Sequence, residues 1–274
     1  MTLTVNDVVA EVRPASVTGP SLRLDGVRHV YPSRGGNVAA LDSIDLTVDA
    51  GAFVTVVGPS GCGKTTLLHT IAGFVIPTAG TVTIGGVPVT APGRDRGVVF
   101  QHPTSLYPWL SVRKNVELGL RLRRIGRAER KDRAMRELER VGLADFSERA
   151  IDELSGGMQQ RCQLARVLAN DPDVMLMDEP LGALDALTRE QLQDQIRDLW
   201  RATRRTVVLI THSVDEAILL GTRVIVMSSR PGRVVLDLPV RFADSDRPGI
   251  EVRADPDFIA AGRHVRETIA QGIP

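Results

Sequence analysis

One octapeptide, Gly58-Pro59-Ser60-Gly61-Cys62-Gly63-Lys64-Thr65, limits what this chain can fold into more than any other stretch. It satisfies the pattern G-x-x-x-x-G-K-[ST], and its flanks are those the pattern requires. Phe53 to Val57 is a short, almost wholly apolar run, as in a strand buried on both faces, and Lys64 to Ala72 reads as a helix. A glycine-rich loop between strand and helix turns successive backbone N–H groups inward on a phosphate, and the helix N-terminus adds partial positive charge. Lys64 is expected to reach the β- and γ-phosphates of a bound nucleotide and Thr65 to hold Mg²⁺, with Thr66 continuing the binding loop.

A buried strand of this kind needs partners. Val174 to Met177, Val207 to Ile210 and Val224 to Met227 are further short apolar runs, and Leu192, Ile196, Leu199 and Trp200 mark one stripe of a helix between them. Strands alternating with helices predict a mainly parallel sheet. Before the loop, Leu22, Leu24, Leu41, Ile44, Leu46 and Val48 alternate with polar neighbours, so two or three antiparallel strands are expected there. From about Ala128 to Val141 the period becomes helical, with Ala128, Met135, Leu138 and Val141 on the apolar side. Asp255-Pro256 reads as an N-cap followed by proline in a helix's first turn, with Phe258, Ile259, Val265 and Ile269 facing inward.

Asp178 and Glu179 close the apolar run that starts at Val174. Two adjacent carboxylates at the end of a buried strand are costly unless a cation or a proton-transfer task keeps them there. Asp178 suits a Mg²⁺ shell, and Glu179 suits polarising an attacking water.

Composition removes other classes. Thirty-four basic and 33 acidic residues leave a formal charge of +1, so no global basic field drives nucleic-acid binding. With 43% apolar and 24% charged residues the chain can build a core. Cys62 and Cys162 are too few for a disulfide framework. The longest aliphatic runs are far shorter than the roughly 20 residues of a membrane helix, and Met1 to Pro20, with Asp7 and Glu11, lacks the apolar stretch of a secretory signal. Lys64, Lys114 and Lys131 are the only lysines. Cys62 sits inside the phosphate loop, where alkylation is expected to block nucleotide by bulk.

These pieces stand in an order that resembles the ATP-binding subunit of an ABC transporter over about residues 21–235. Leu154-Ser155-Gly156-Gly157-Met158-Gln159-Gln160-Arg161 resembles the family's signature, Phe100-Gln101 its Q-loop, Leu184-Asp185 its D-loop, His212 after Thr211 its switch histidine, and Tyr31 its adenine-stacking aromatic. The resemblance implies a P-loop NTPase of the α/β class: a RecA-like parallel sheet core, an antiparallel β subdomain, and a helical subdomain near residues 102–156. Residues 1–20 are expected as a flexible extension and 236–274 as a short C-terminal one. It further implies ATP and Mg²⁺ as ligands. Gln101 would contact the metal and the γ-phosphate, His212 would bond the γ-phosphate, and Asp185 would communicate across a dimer. Ser155, Gly156 and Gly157 would complete the site of a second copy, so that one chain holds two half-sites.

Weaker cues resemble the importer branch serving nitrate, taurine and other aliphatic sulfonates. These are residues 91–101, Pro108-Trp109-Leu110, Leu187-Thr188-Arg189 and Ser229-Arg230-Pro231-Gly232-Arg233, with a tail from Asp255 to Ile259 most like the taurine members. Ser213 departs from that branch, which usually has Asp after the histidine. The implied partners are transmembrane permease subunits docking near Tyr107-Pro108-Trp109 and an extracytoplasmic solute-binding protein. The implied place is the cytoplasmic face of the inner membrane. The alternative is a soluble ABC ATPase regulating a non-transport membrane partner such as a cell-division complex.

Overall fold

The computed structural model describes residues 19–33, 36–101, 105–182 and 184–272. The expected extension at 1–20 lies outside these residues except for its end. Gly19 is buried, and Pro20 O accepts a bond from Thr206 Oγ1 at 2.7 Å.

Two sheets and three apolar clusters build the molecule. The first sheet is antiparallel, with β1 (Leu22–Tyr31) between β2 (Val38–Val48) and β4 (Ala79–Ile84), and the two-residue β5 (Val87–Pro88) at one edge. The second contains β3 (Phe53–Val57), β6 (Arg96–Val99), β7 (Val174–Asp178), β8 (Thr206–Ile210), β9 (Arg223–Met227) and β10 (Val234–Pro239), in the order β10-β9-β3-β8-β7-β6. Every pairing from β9 to β6 is parallel, and β10 closes the edge antiparallel to β9. Every residue of β3, β7 and β8 is buried, which accounts for their unbroken apolar sequences.

That sheet is a wall between two cores. Phe53, Met175, Met177, Val207 and Leu209 face a cluster shared with α2 (Val112–Leu122), α3 (Arg127–Arg140), α4 (Gly156–Ala169) and α5 (Ala186–Thr203). Val54, Val56, Leu176, Val208 and Ile210, one residue out of phase, face α1 (Lys64–Ala72) and the antiparallel sheet. Leu67, Leu68 and Ile71 of α1 are fully buried here, each worth roughly 1.5–3 kcal/mol before entropy is charged. The third cluster joins α6 (Val214–Leu220) to Val57, Val224 and Val226 and to α8 (Pro256–Gln271), with α7 (Gly249–Arg253) alongside. The described residues after 236 thus pack on the sheet edge through β10, α7 and α8, and β10 runs across residue 235.

Two expected apolar positions face solvent: Ala128 on α3, where Ala134 and Leu138 form the buried stripe, and Ile259 on α8, where Phe258 and Val265 do. Asp255 caps α8, accepting from Asp257 N at 3.0 Å, with Pro256 in the first turn.

Candidate functional site

The phosphate loop connects β3 to α1, and its geometry depends on glycine at two places. Gly63 has φ +100°, and a Cβ there would lie 2.6 Å from Ala40 O. Gly58 has φ +157°, and its Cβ would lie 2.7 Å from Met227 O. Only a residue without a side chain lets the loop pass this close to β2 and β9. No side chain caps the N-terminus of α1. Lys64, nearly buried, donates to Gly58 O and Pro59 O, both at 2.9 Å, so its ammonium sits inside the curl of its own loop.

A cleft of about 580 Å³ opens above the loop, a size suited to a nucleotide. Tyr31, Gly58, Ser60, Gly61, Gly63, Lys64, Thr65, Thr66, Gln101, Glu179 and His212, all singled out by motif, line it. Tyr31 Oη lies 3.4 Å from Thr66 Oγ1, and the His29 ring meets Tyr31 edge-on at 4.4 Å. Gln101 Nε2 donates to Glu179 Oε2 at 3.0 Å, and His212 Nδ1 lies 3.3 Å from the same oxygen. Two residues, 78 positions before Glu179 and 33 after it, therefore converge on its carboxylate. Glu179 holds φ +45°, a left-handed conformation that costs a non-glycine residue about 1 kcal/mol or more. Its own N–H bonded to Ile210 O at 2.9 Å, and its C=O accepting from Gly182 N at 3.2 Å, keep it there.

Thr65 Oγ1 donates to Asp178 Oδ1 at 3.4 Å. Burial at the end of β7 pushes the Asp178 carboxyl above its ordinary range, against the lowering effect of the Thr65 bond. The neighbouring Glu179 charge raises it further. A buried carboxylate bonded to a threonine hydroxyl offers oxygen donors of the kind that suit a hard divalent cation such as Mg²⁺.

Two loop residues differ from expectation. Pro59 and Cys62 do not line the cleft, and Cys62 is fully buried, its Sγ 3.8 Å from Lys64 Nζ. Alkylation there needs the loop to open first, so bulk at Cys62 is not an accessible route to blocking the site. Cys162 is also buried, and burial pushes its thiol up to about 12.

Ser155, Gly156, Gly157 and Asp185 lie outside the cleft. Ser155 caps α4, accepting from Met158 N at 3.3 Å, and is exposed. Asp185 caps α5, accepting from Thr188 N at 3.0 Å, which holds its carboxyl below the usual range. Ser213 does the same for α6, accepting from Glu216 N at 3.3 Å. A serine thus fills the capping role open to an aspartate at that position.

Sequence reasoning missed several participants. Val38, Ala40 and Arg230 also line the cleft. On α4, Gln160 Nε2 donates to Phe100 O at 3.3 Å, Gln163 Nε2 to Ser105 Oγ at 2.7 Å, and Arg166 Nη1 to Ser105 O at 2.6 Å. The helix capped by Ser155 therefore holds both Phe100 and Ser105.

The family model described as "ABC transporter" matches residues 41–182. The chain belongs to the ABC transporter family. The cassette is 52% identical over 233 residues to "Taurine import ATP-binding protein TauB" of Burkholderia pseudomallei, covering 84% of this chain and 89% of that one. It is 49% identical over 255 residues to the protein of the same name from Jannaschia sp., covering 92% and 93%. Among solved structures, the ATP-binding cassette MJ0796, in a dimeric post-hydrolysis state with ADP and Pi, superposes with a TM-score of 0.73 at 33% identity, over 80% of this chain and 99% of that one. The cassette is an ATPase of the α/β P-loop class. Among the described residues no helix is long and apolar enough to cross a membrane.

Proposed function

We propose that this cassette hydrolyses ATP to drive import of taurine or a related small sulfonate. The observation that carries the ATPase half is the convergence of Gln101 and His212 on Glu179 in the cleft that Lys64 enters from below. The import half rests on the 52% and 49% identity to taurine import ATP-binding proteins over nearly their whole length.

Lys64, Thr65 and Thr66 would hold the polyphosphate, with Tyr31 packing on the base. Glu179, oriented through Oε2 by two neighbours, has no hydrogen-bond partner for Oε1 among the described residues, so that oxygen would take the proton of the attacking water. Thr65, Asp178 and Gln101 would hold Mg²⁺, which neutralises charge developing on the transferred phosphoryl group. Ser155, Gly156, Gly157 and Asp185 are exposed or partly exposed and away from the cleft. They would serve the nucleotide of a second copy, as the dimeric state of MJ0796 suggests.

The permease subunits would dock beside Trp109, which is 75% exposed and meets Tyr107 edge-on at 5.2 Å. That loop is fixed from beneath by the buried Asn115, which accepts from Tyr107 N at 2.8 Å and donates to Tyr107 O and Leu110 O. An exposed aromatic pair on so rigid a base suits a docking surface. An adjoining groove of about 530 Å³, lined by Phe100, Ser105 and Arg166, continues it. On this reading the cassette would work at the cytoplasmic face of the inner membrane, with an extracytoplasmic solute-binding protein delivering the solute from the far side. The names of the relatives give no support to the cell-division alternative.

Deleting the gene is expected to abolish growth on taurine as sole sulfur source. The wild-type gene should restore growth and Glu179→Gln should not. Undiminished taurine-dependent growth and uptake in the deletion strain would overturn the import assignment.

A further inference from the structure

The stretch Ser229-Arg230-Pro231-Gly232-Arg233 served above only as a mark of resemblance, yet the fold brings it to the nucleotide cleft. It connects β9 to β10, and Arg230 lines the cleft alongside Lys64. Arg230 Nε donates to Gly61 O at 3.2 Å across 169 positions of sequence. Its Nη2 stands 3.3 Å from where a Gly61 Cβ would be. A guanidinium offers five N–H donors, and this carbonyl is the one protein partner it has among the described residues. Among the described residues no carboxylate pairs with it, whereas Arg223 has Asp237 and Arg233 has Asp42.

The loop holding it is fixed on three sides. Gly232 N donates to Ala40 O at 3.0 Å, and Asp42 N to Gly232 O at 3.0 Å, which ties the loop to β2. A Cβ on Gly232 would lie 2.1 Å from Cys62 O, so glycine alone lets this loop rest on the phosphate loop. Ser229 Oγ donates to Gly272 O at 2.9 Å, anchoring it to the end of α8. Arg230 therefore rises from a prepared base with most of its donors unused, beside a loop built to collect phosphate oxygens. A planar, permanently charged fork in that position matches a polyphosphate.

We propose that Arg230 is a nucleotide-binding residue, contacting the phosphates of bound ATP from the side of the loop opposite α1. The inference rests on the ATPase reading and extends it to a residue contributed by the β9–β10 connection. Orientation by the Gly61 carbonyl lowers the entropy lost when the guanidinium engages the ligand. The charge makes the contact more valuable for ATP than for ADP if it reaches the terminal phosphate.

The test is calorimetric titration of the full chain with MgATP and MgADP, in a Glu179→Gln background that prevents turnover. Arg230→Ala is expected to weaken MgATP binding about tenfold, the loss of one charge-assisted contact. Arg230→Lys should recover part of that loss. Both should leave the melting temperature of the nucleotide-free protein unmoved, and with Glu179 restored, Arg230→Ala should raise KM for ATP more than it lowers kcat. MgATP binding unchanged in Arg230→Ala, while Lys64→Ala abolishes it, would overturn the inference and leave the ATPase reading standing. A fall in nucleotide-free melting temperature matching the affinity loss would also overturn it, by showing that the side chain only packs. Absence of MgATP binding by the parent protein would overturn the ATPase reading itself.

Discussion

The helices α1 and α4 both begin at glycines, and both begin differently. At α1 the N-cap is Gly63 in a left-handed conformation with no side-chain cap and no acidic residue in the first turn. At α4 the N-cap is Ser155, whose hydroxyl accepts from Met158 N. Five of the eight described helices supply their own side-chain cap, through Ser111, Ser155, Asp185, Ser213 and Asp255. The start of α1 is the uncapped one that faces a cleft, so its unsatisfied N–H groups are reserved for an anion brought from outside. The start of α4 has a side-chain cap of its own and lies on the open surface, away from the cleft. One N-terminus lines a pocket, and the other, in the reading proposed above, would be half of an interface.

The largest test separates chemistry from assembly. Glu179→Gln should lower steady-state phosphate release by roughly 10²–10⁴-fold, the range for loss of a general base, while MgATP still binds at the α1 cleft. If α4 completes the site of a second copy, MgATP should now hold this variant as a species of twice the mass in size-exclusion chromatography. Normal turnover would remove Glu179 from its role. A tightly bound but strictly monomeric variant would break the interface half of the comparison.

Lys64→Arg should follow in size, with MgATP affinity or turnover falling about 10- to 100-fold although charge is kept. The lysine ammonium fits between two carbonyls at 2.9 Å each, a point-like position that a planar fork cannot share without moving the loop. Titration calorimetry and phosphate release would register this, and activity equal to wild type would mean that charge alone suffices there.

A pair of glycine substitutions sharpens the contrast further. Gly63→Ala places a Cβ 2.6 Å from Ala40 O at φ +100° and should destabilise the fold by about 1–3 kcal/mol, read from chemical denaturation. Gly156→Ala meets nothing within 4 Å and should leave the isolated chain's stability within about 0.5 kcal/mol. Any loss of turnover in Gly156→Ala would then belong to the partner's nucleotide. Equal effects of the two on stability would erase the distinction between pocket and interface.

Much of this was legible beforehand because it is local. The Lys64–Ala72 helix and the Phe53–Val57 strand were readable because a fully buried parallel strand is apolar without interruption and the phosphate loop punctuates both. Gln101, Glu179 and His212 were each picked out by motif, though the sharing of Glu179 Oε2 by the other two is set by β7 lying between β6 and β8. What escaped depends on distant pairing. β6, Arg-Gly-Val-Val, has little strand character of its own and forms because β7, almost 80 positions later, supplies its ladder. β10 alternates half-buried and exposed residues at the sheet edge, a pattern easily taken for a tail. Arg230 gives no local sign of its place, since only the fold brings it to Gly61.

The smallest effect concerns α6, the helix that follows His212 and is closed by its own chemistry. Ser213 caps it, and Asp215 and Glu216 occupy its first turn, where negative charge suits the helix dipole. Glu216 nevertheless lies buried, accepting from Gln193 Nε2 at 3.2 Å, and burial pushes its carboxyl above the ordinary range despite help from Gln193, Thr211 and the charges of His212 and Arg189. The folded state then keeps a proton that the unfolded chain releases. Between the ordinary carboxylate range and the raised folded value, the native state binds more protons, so this residue makes stability fall as pH rises. Above that value the penalty is constant. Glu216→Gln should remove the slope and raise the melting temperature at neutral pH, its amide oxygen still accepting from Gln193 Nε2. The Ser213 cap, which uses the backbone N–H of residue 216, is untouched by the change. An unchanged slope would mean that the dipole and its polar neighbours already compensate the charge, making α6 the self-sufficient counterpart of α1.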